Sequence, residues 1–279
     1  MLKLAVITNA TKDKGLATAI WIARFLCGKA EIYMSEDCRA DADLAVIYLP
    51  YEEIFKTVDI VIVIGGDGTL LRIAPRCAEN NIPALGINLG TIGFLTEVEI
   101  TDIEAALSCV LKGEYITEKR MLLKVCINDE KTAYHALNDV VMLKPDRLKL
   151  INIDLYSNSE LVFRYRADGL IIATPTGSTG YSVSAGGPVV DPSMQLYIAT
   201  PICAHMLGAR SAVLSSDKEL VLRLSESNTE TGAIISTDGE QQRIISTDDK
   251  VRISKSDYEF ELIKIGKTSF YNTLIDKLS

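Results

Sequence analysis

Residues 59–64 read DIVIVI, with five apolar positions in succession, and GGDGT follows at once at 65–69. A run that is apolar on both faces suits a strand covered on both faces, as the central strands of a parallel sheet are. Similar runs flank it at strand length: LKLAVIT (2–8), AEIYM (30–34) and IPALGIN (82–88). Between them lie segments of helical period, DKGLATAIWIARFLCGK (13–29) and TLLRIAPRCAEN (69–80), the second with Pro75 in or near its first turn or kinking it. Strand–helix alternation of this kind predicts a parallel sheet.

After DIEAALSCVLKGE (102–114), a short helix, the period changes. YITEKRMLLKVCIN (115–128), TAYHALNDVVML (132–143), LKLINIDLYSN (148–158), LVFRYRADGLIIAT (161–174), ELVLRLSES (219–227), GAIISTDG (232–239) and DKVRISKSD (249–257) are rich in β-formers and separated by turn residues. The expected fold is an α/β N-terminal domain with a parallel sheet, residues 1–97, and a mainly-β C-terminal domain, residues 98–263. The helical period returns in SFYNTLIDKLS (269–279), so segment 264–279 is expected to pack back on the first domain. At 279 residues the chain has room for roughly two domains of about 150 residues.

Composition narrows the function. A net charge of −8 and a single tryptophan argue against a nucleic-acid partner, which usually meets a basic face. No apolar run reaches the roughly 18 residues of a membrane span, and the start lacks the pattern of a secretion signal. The six cysteines are scattered without a CxxC pair and sit among apolar neighbours, as reduced, partly buried thiols of a cytoplasmic protein do. Two histidines, His135 and His205, are too few and too far apart for a histidine-based metal site.

Three segments carry candidate chemistry. Ligands of open α/β sheets bind beyond the carboxyl ends of the strands. There Gly65, Gly66 and Gly68 expose bare N–H groups, and the helix beginning near Thr69 adds its positive end, a setting for phosphate. Asp67 would repel phosphate, which makes sense if it meets a hydroxyl to be deprotonated or a magnesium ion; otherwise it is a helix N-cap. RADGLIIATPTGSTGYSVSAGGPVV (166–190) gathers small hydroxyls, including Thr176, Thr179, Ser182 and Ser184, with Tyr181 available to stack. The same composition occurs in surface loops, but the strand LIIAT and the pair Arg166 and Asp168 fix this one. In HALNDVVML (135–143), Asn138 and Asp139 are polar residues in an apolar strand, either ligand contacts or a strand-end cap. The Asp238–Gly239 pair is a strong hairpin signal, read as a plain turn or as a tip that closes over a ligand, with Glu240, Gln241 and Gln242 beside it.

GGDGT, LNDVV and DGLIIATPTGSTGYSVSAGGPVV together, with LGTIGFL (89–95), resemble NAD kinase, from about residue 59 onward. GGDGT alone is shared with diacylglycerol and sphingosine kinases; the long Gly/Ser stretch is far more specific. The resemblance implies transfer of the ATP γ-phosphoryl group to the 2′-hydroxyl of the adenosine ribose of NAD, in a cleft between the domains. On that pattern Asp67 is the general base and Gly68 lies beside it in the substrate site. Asn138 and Asp139 hold NAD; Arg166, Asp168 and the run Thr179, Gly180, Tyr181, Ser182 to Ser184 bind the dinucleotide. Phe94 lines the pocket, and Arg72 and Lys149 are candidates for phosphate contacts. The family pair is more often Asn-Glu, so Asp139 has a shorter reach, and Gly180 replaces a more usual alanine. The resemblance also implies a divalent cation, normally Mg²⁺, held mainly through the ATP phosphates with no dedicated protein metal site. A homo-oligomer, dimer or tetramer, built through the β domain is implied too. The rival readings are a diacylglycerol-type lipid kinase and a non-catalytic dinucleotide sensor with no use for Asp67.

Overall fold

The computed structural model describes residues 1–39, 44–90, 93–96, 98–145, 149–206, 208–225, 232–266 and 269–278. In chain order the elements begin β1 (Lys3–Thr8), α1 (Ala17–Leu26), β2 (Glu31–Ser35), β3 (Val46–Leu49), α2 (Tyr51–Ile54) and β4 (Ile60–Gly65). They continue with α3 (Asp67–Glu79), β5 (Ala84–Asn88), β6 (Val98–Glu99), α4 (Ile103–Lys112), β7 (Ile116–Ile127), β8 (Tyr134–Ala136) and β9 (Asp139–Leu143). Next come β10 (Ile151–Ser157), β11 (Glu160–Ala167), β12 (Gly169–Ala173), α5 (Tyr181–Ser184), β13 (Leu196–Ile202) and β14 (Ala212–Ser215). The last are β15 (Leu220–Leu224), β16 (Ala233–Thr237), β17 (Glu240–Ile245), β18 (Val251–Lys264) and α6 (Phe270–Leu278). The chain forms two compact units, Met1–Lys119 with Glu259–Ser279, and Arg120–Tyr258.

In the first unit β5, β4, β1, β2 and β3 lie side by side in that order, all parallel. All six residues of β4 are buried, as its unbroken apolar run requires. The end of β18 adds to the far side of β5, in parallel, with Leu262 opposite Ala84. The unit extends past the expected boundary at residue 97. The reason is α4, whose Ile103, Ala106, Leu107 and Val110 share one buried cluster with Leu4, Ile22, Ile62 and Leu85. Helix α3 begins at Asp67, two residues before the expected start, and Pro75 lies in its interior.

The second unit holds two antiparallel arrangements. One is the six-stranded sheet β14-β13-β12-β9-β16-β17; the other runs β11-β10-β15-β18. Their inner faces share a core that includes Met142, Ile153, Ile172, Tyr197, Leu222, Ile235 and Ile253. In the first sheet β12 is buried throughout and lies antiparallel to β9, with Ala173 opposite Asp139. β16 flanks β9 on the other side, with Thr237 opposite Val140. These two registers bring residues 138–139, 174–180 and 238 to one end of the sheet. All six cysteines are free, but Cys27 and Cys203 are exposed, against the expectation of partial burial.

Candidate active site

The first group of site residues is built on β4, α3 and the segment after β5. The residue before α3 is Gly66, in extended conformation and without a side-chain cap. Asp67 is therefore not the cap of its own helix; its carboxylate reaches across to residues 94–96. Oδ2 accepts the N–H of Phe94 at 2.8 Å. Oδ1 accepts the N–H groups of Leu95 (3.1 Å) and Thr96 (3.0 Å) and the Thr96 hydroxyl (3.0 Å). Gly93 makes room for this contact, because a Cβ there would fall on the Asp67 carboxylate. Oδ1 is saturated while Oδ2 carries one bond, so Oδ2 keeps a lone pair for a substrate hydroxyl or a cation.

Around it, Thr69 is buried, its N–H bonded to the Gly66 carbonyl, and Gly68 has open space where a side chain would stand. Asn88 lies opposite Gly65; its Oδ1 accepts the Gly90 N–H, and its Nδ2 is buried without a partner among the described residues. Phe94 sits 6.0 Å from the Phe270 ring, centroid to centroid, with the Lys277 ammonium 5.2 Å over its own face. Arg72 is exposed on α3. Sequence reasoning missed Lys12, whose Nζ would be 3.3 Å from a Cβ on Gly66. The only signal available was its place in the loop after β1, the strand that pairs with β4 from Leu4↔Ile60 to Thr8↔Ile64.

The second group lies at the end of β12. Thr174 N–H donates to the Asn138 carbonyl at 2.8 Å, and the Thr174 hydroxyl donates to the Leu137 carbonyl at 2.6 Å. Gly177 packs against the Asn138 carbonyl, where a Cβ would overlap it. Asn138 Oδ1 and Thr176 Oγ1 are buried without a partner among the described residues, as atoms awaiting a polar ligand would be. A Cβ on Gly180 would meet Asn138 Nδ2 at 3.4 Å and Asp139 Oδ2 at 4.0 Å, so an alanine would nearly fit. Burial, with the Asp238 charge beside it, pushes the Asp139 carboxyl up to about 7. Burial also pushes Asp238 up to about 6, against backbone N–H bonds that favour its charged form.

Other expected residues have different surroundings. The Ser182 hydroxyl is bonded to Thr200 Oγ1 in the interior, and Thr179 donates to the Thr176 carbonyl. Tyr181 and Ser184 are exposed, as is Lys149. Asp168 is ion-paired with Lys144 at 2.5 Å. Arg166 lines a cavity of about 550 Å³ with Asn152, Asp154, Arg164 and His205. Asp168 precedes β12 and Thr174 follows it, so at about 3.3 Å per residue the two lie roughly 20 Å apart. Arg166 and Asp168 are therefore not gathered with Asn138 and Asp139 within this chain.

Among the described residues no cluster of three or more His, Cys, Asp or Glu could hold a metal ion, and no helix is long and apolar enough to cross a membrane.

The ATP-NAD kinase N-terminal domain matches residues 4–115 and the ATP-NAD kinase C-terminal domain residues 137–265. The NAD kinase of Thermoanaerobacter sp. (strain X514) is 39% identical over 283 aligned residues, covering 100% of this chain and 99% of the relative. The crystal structure of an NAD kinase from Archaeoglobus fulgidus in complex with ATP superposes with a TM-score of 0.78 at 28% identity, covering 99% of this chain and 98% of that one. Yeast NADH kinase complexed with NADH shares the fold, with a TM-score of 0.89 at 21% identity over 100% of this chain and 87% of its own. The chain belongs to the NAD kinase family.

Proposed function

We propose that the chain phosphorylates NAD to NADP, with Asp67 taking the proton of the adenosine-ribose 2′-hydroxyl as that oxygen attacks the ATP γ-phosphorus and the bond to the β–γ bridging oxygen breaks, releasing ADP. The observation that carries the reading is the Asp67 carboxylate, held by four hydrogen bonds yet with Oδ2 only singly bonded. A base fixed this way loses little freedom when substrate binds. The amides of Gly66 and Gly68, at the positive end of α3, donate to phosphate oxygens, and Lys12 adds a cation over the same loop. Arg72 supplies a further charge from the exposed face of α3.

A divalent cation, Mg²⁺, would be held mainly by the ATP phosphates received at the start of α3, leaving the free Oδ2 lone pair of Asp67 to the substrate hydroxyl. When bound, it neutralises charge on the transferring phosphoryl group. Asn138, Thr176 and Asp139 bind the dinucleotide, with Thr179, Gly180, Tyr181, Ser182 and Ser184 shaping the rest of that wall. Phe94 lines the site, whereas Arg166 and Asp168, at the opposite end of β12 from Asn138 and Asp139, reach a dinucleotide only from a second copy of the chain in the homo-oligomer. The chain acts in the cytoplasm, where thiols stay reduced, as a homo-oligomer through the β unit. Leu161 and Phe163 stand exposed on edge strand β11 and suit such a contact.

The test is NADP formation from NAD and ATP, with and without Mg²⁺, beside dispersed diacylglycerol as a competing acceptor. NADP formation dependent on Mg²⁺ is the expected result. Lipid phosphorylation, or dinucleotide binding without phosphoryl transfer, overturns the reading.

A further inference from the structure

The Asp238–Gly239 turn has positive φ at both residues, 47° and 83°, as an Asp-Gly hairpin of the primed type requires. The carboxylate does not project from the tip as a lid. It turns back on its own chain and accepts three consecutive main-chain N–H groups: Leu137 at 2.7 Å on Oδ2, Asn138 at 2.8 Å and Asp139 at 3.0 Å on Oδ1. The Asp238 N–H returns a bond to the Asp139 carbonyl at 3.0 Å.

Three successive N–H groups cannot converge on one point in a regular strand, where they alternate in direction. They converge only where the backbone curls into a concave, anion-binding shape. The carboxylate thus stabilises a curl between β8 and β9, and that curl aims the side chains of residues 138 and 139. The carbonyls of Leu137 and Asn138 are held from the other side by Thr174. With the backbone held on both sides, Asn138 Oδ1 is left buried and unpartnered among the described residues.

We propose that Asp238 is a positioning residue for the dinucleotide: its carboxylate fixes the backbone of residues 137–139 so that Asn138 and Asp139 meet the substrate preorganised. The proposal rests on the reading of Asn138 and Asp139 as NAD contacts. Asp238 itself touches no substrate and acts through the curl.

Two substitutions keep the turn and remove the clamp. Asp238→Asn tolerates the left-handed backbone, but its amide N–H₂ would face the Leu137 N–H, donor against donor. Asp238→Gly keeps the turn and has no acceptor at all. The experiment measures NAD affinity by calorimetry without ATP, the KM for ATP, and amide hydrogen exchange at residues 137–139. It is run at a temperature where circular dichroism shows both variants folded. Expected are faster exchange at 137–139, NAD binding weaker by about tenfold or more, and a KM for ATP changed less than about twofold. NAD affinity within about twofold of wild type, whether or not exchange rises, overturns the positioning role. So does a parallel loss of affinity for NAD and ATP, the mark of a general structural defect. A wild-type chain that binds no NAD overturns the site reading itself, and is recognised before any variant is compared.

Discussion

Asp67→Asn separates the two tasks of this carboxylate, tying residues 93–96 to α3 and accepting a proton. An asparagine can place its oxygen where Oδ1 stands and keep the bonds to Leu95 N–H, Thr96 N–H and the Thr96 hydroxyl. Its N–H₂ then faces the Phe94 N–H, which donates to Oδ2 in the native chain. One charge-assisted bond is lost and the others become neutral, at about 1.5–3 kcal/mol for a bond to a charged group. A loss of about 2–3 kcal/mol corresponds to a melting temperature lower by roughly 5–10 °C for a chain of this size. Removing a general base costs on the order of 10²-fold or more in turnover. NAD binding should largely survive, because Asn138 and Asp139 belong to the other unit and keep their bonds. NADP can be read with an NADP-specific dehydrogenase, alongside a thermal melt and NAD calorimetry. Turnover within about fivefold of wild type, with the melting temperature lowered as calculated, would reduce Asp67 to a tie and refute its role as base.

Asn138→Ala should raise the KM for NAD several-fold with little change in melting temperature, because the buried Oδ1 has no described partner to lose; a large drop in melting temperature with an unchanged KM refutes the contact. Gly93→Ala should impair both folding and turnover, since the added methyl meets the Asp67 carboxylate; an active, normally melting variant would show that residues 93–96 yield easily. Asp139 has a folded-state value of about 7 against an ordinary 3.8, raised chiefly by burial, so its contribution to stability is fully present below about 4 and lost as pH rises through about 7. Asp139→Asn should therefore flatten the stability curve over that window and melt higher than wild type near pH 8; parallel curves for the two proteins would refute the raised value.

Much of the first unit was legible because its strands are short, apolar and separated by clear helical periods. β3 escaped notice because VIYL is only four residues long and ends against Pro50. β13 is fully buried yet carries Pro201, a residue that argues against a central strand. It is tolerated there opposite Leu170. The place of α4 was hidden for another reason: its apolar stripe says that it packs, not against which sheet. The candidate site shows the same divide. Asp67, Asn138 and Asp139 stand out as polar side chains in apolar or glycine-rich surroundings. Their partners do not, because Asp67 grips backbone 27 to 29 residues away and Asp238 grips backbone 99 to 101 residues away. A main-chain N–H leaves no mark in a sequence; only the glycine at 93 and the Asp-Gly turn at 238 hint at those contacts.

The distribution of thiols gives the molecule a built-in pair of chemical handles. Cys77 is buried, its thiol pushed well up by desolvation, and Cys38, partly buried, is pushed up as well, so both resist alkylation. Cys27 and Cys203 are the exposed ones, and they fall one in each compact unit. Mild treatment with a maleimide dye should mark these two first, without any engineered residue. A donor and an acceptor placed there would turn the separation of the two units into an optical signal, to be followed as nucleotide is added.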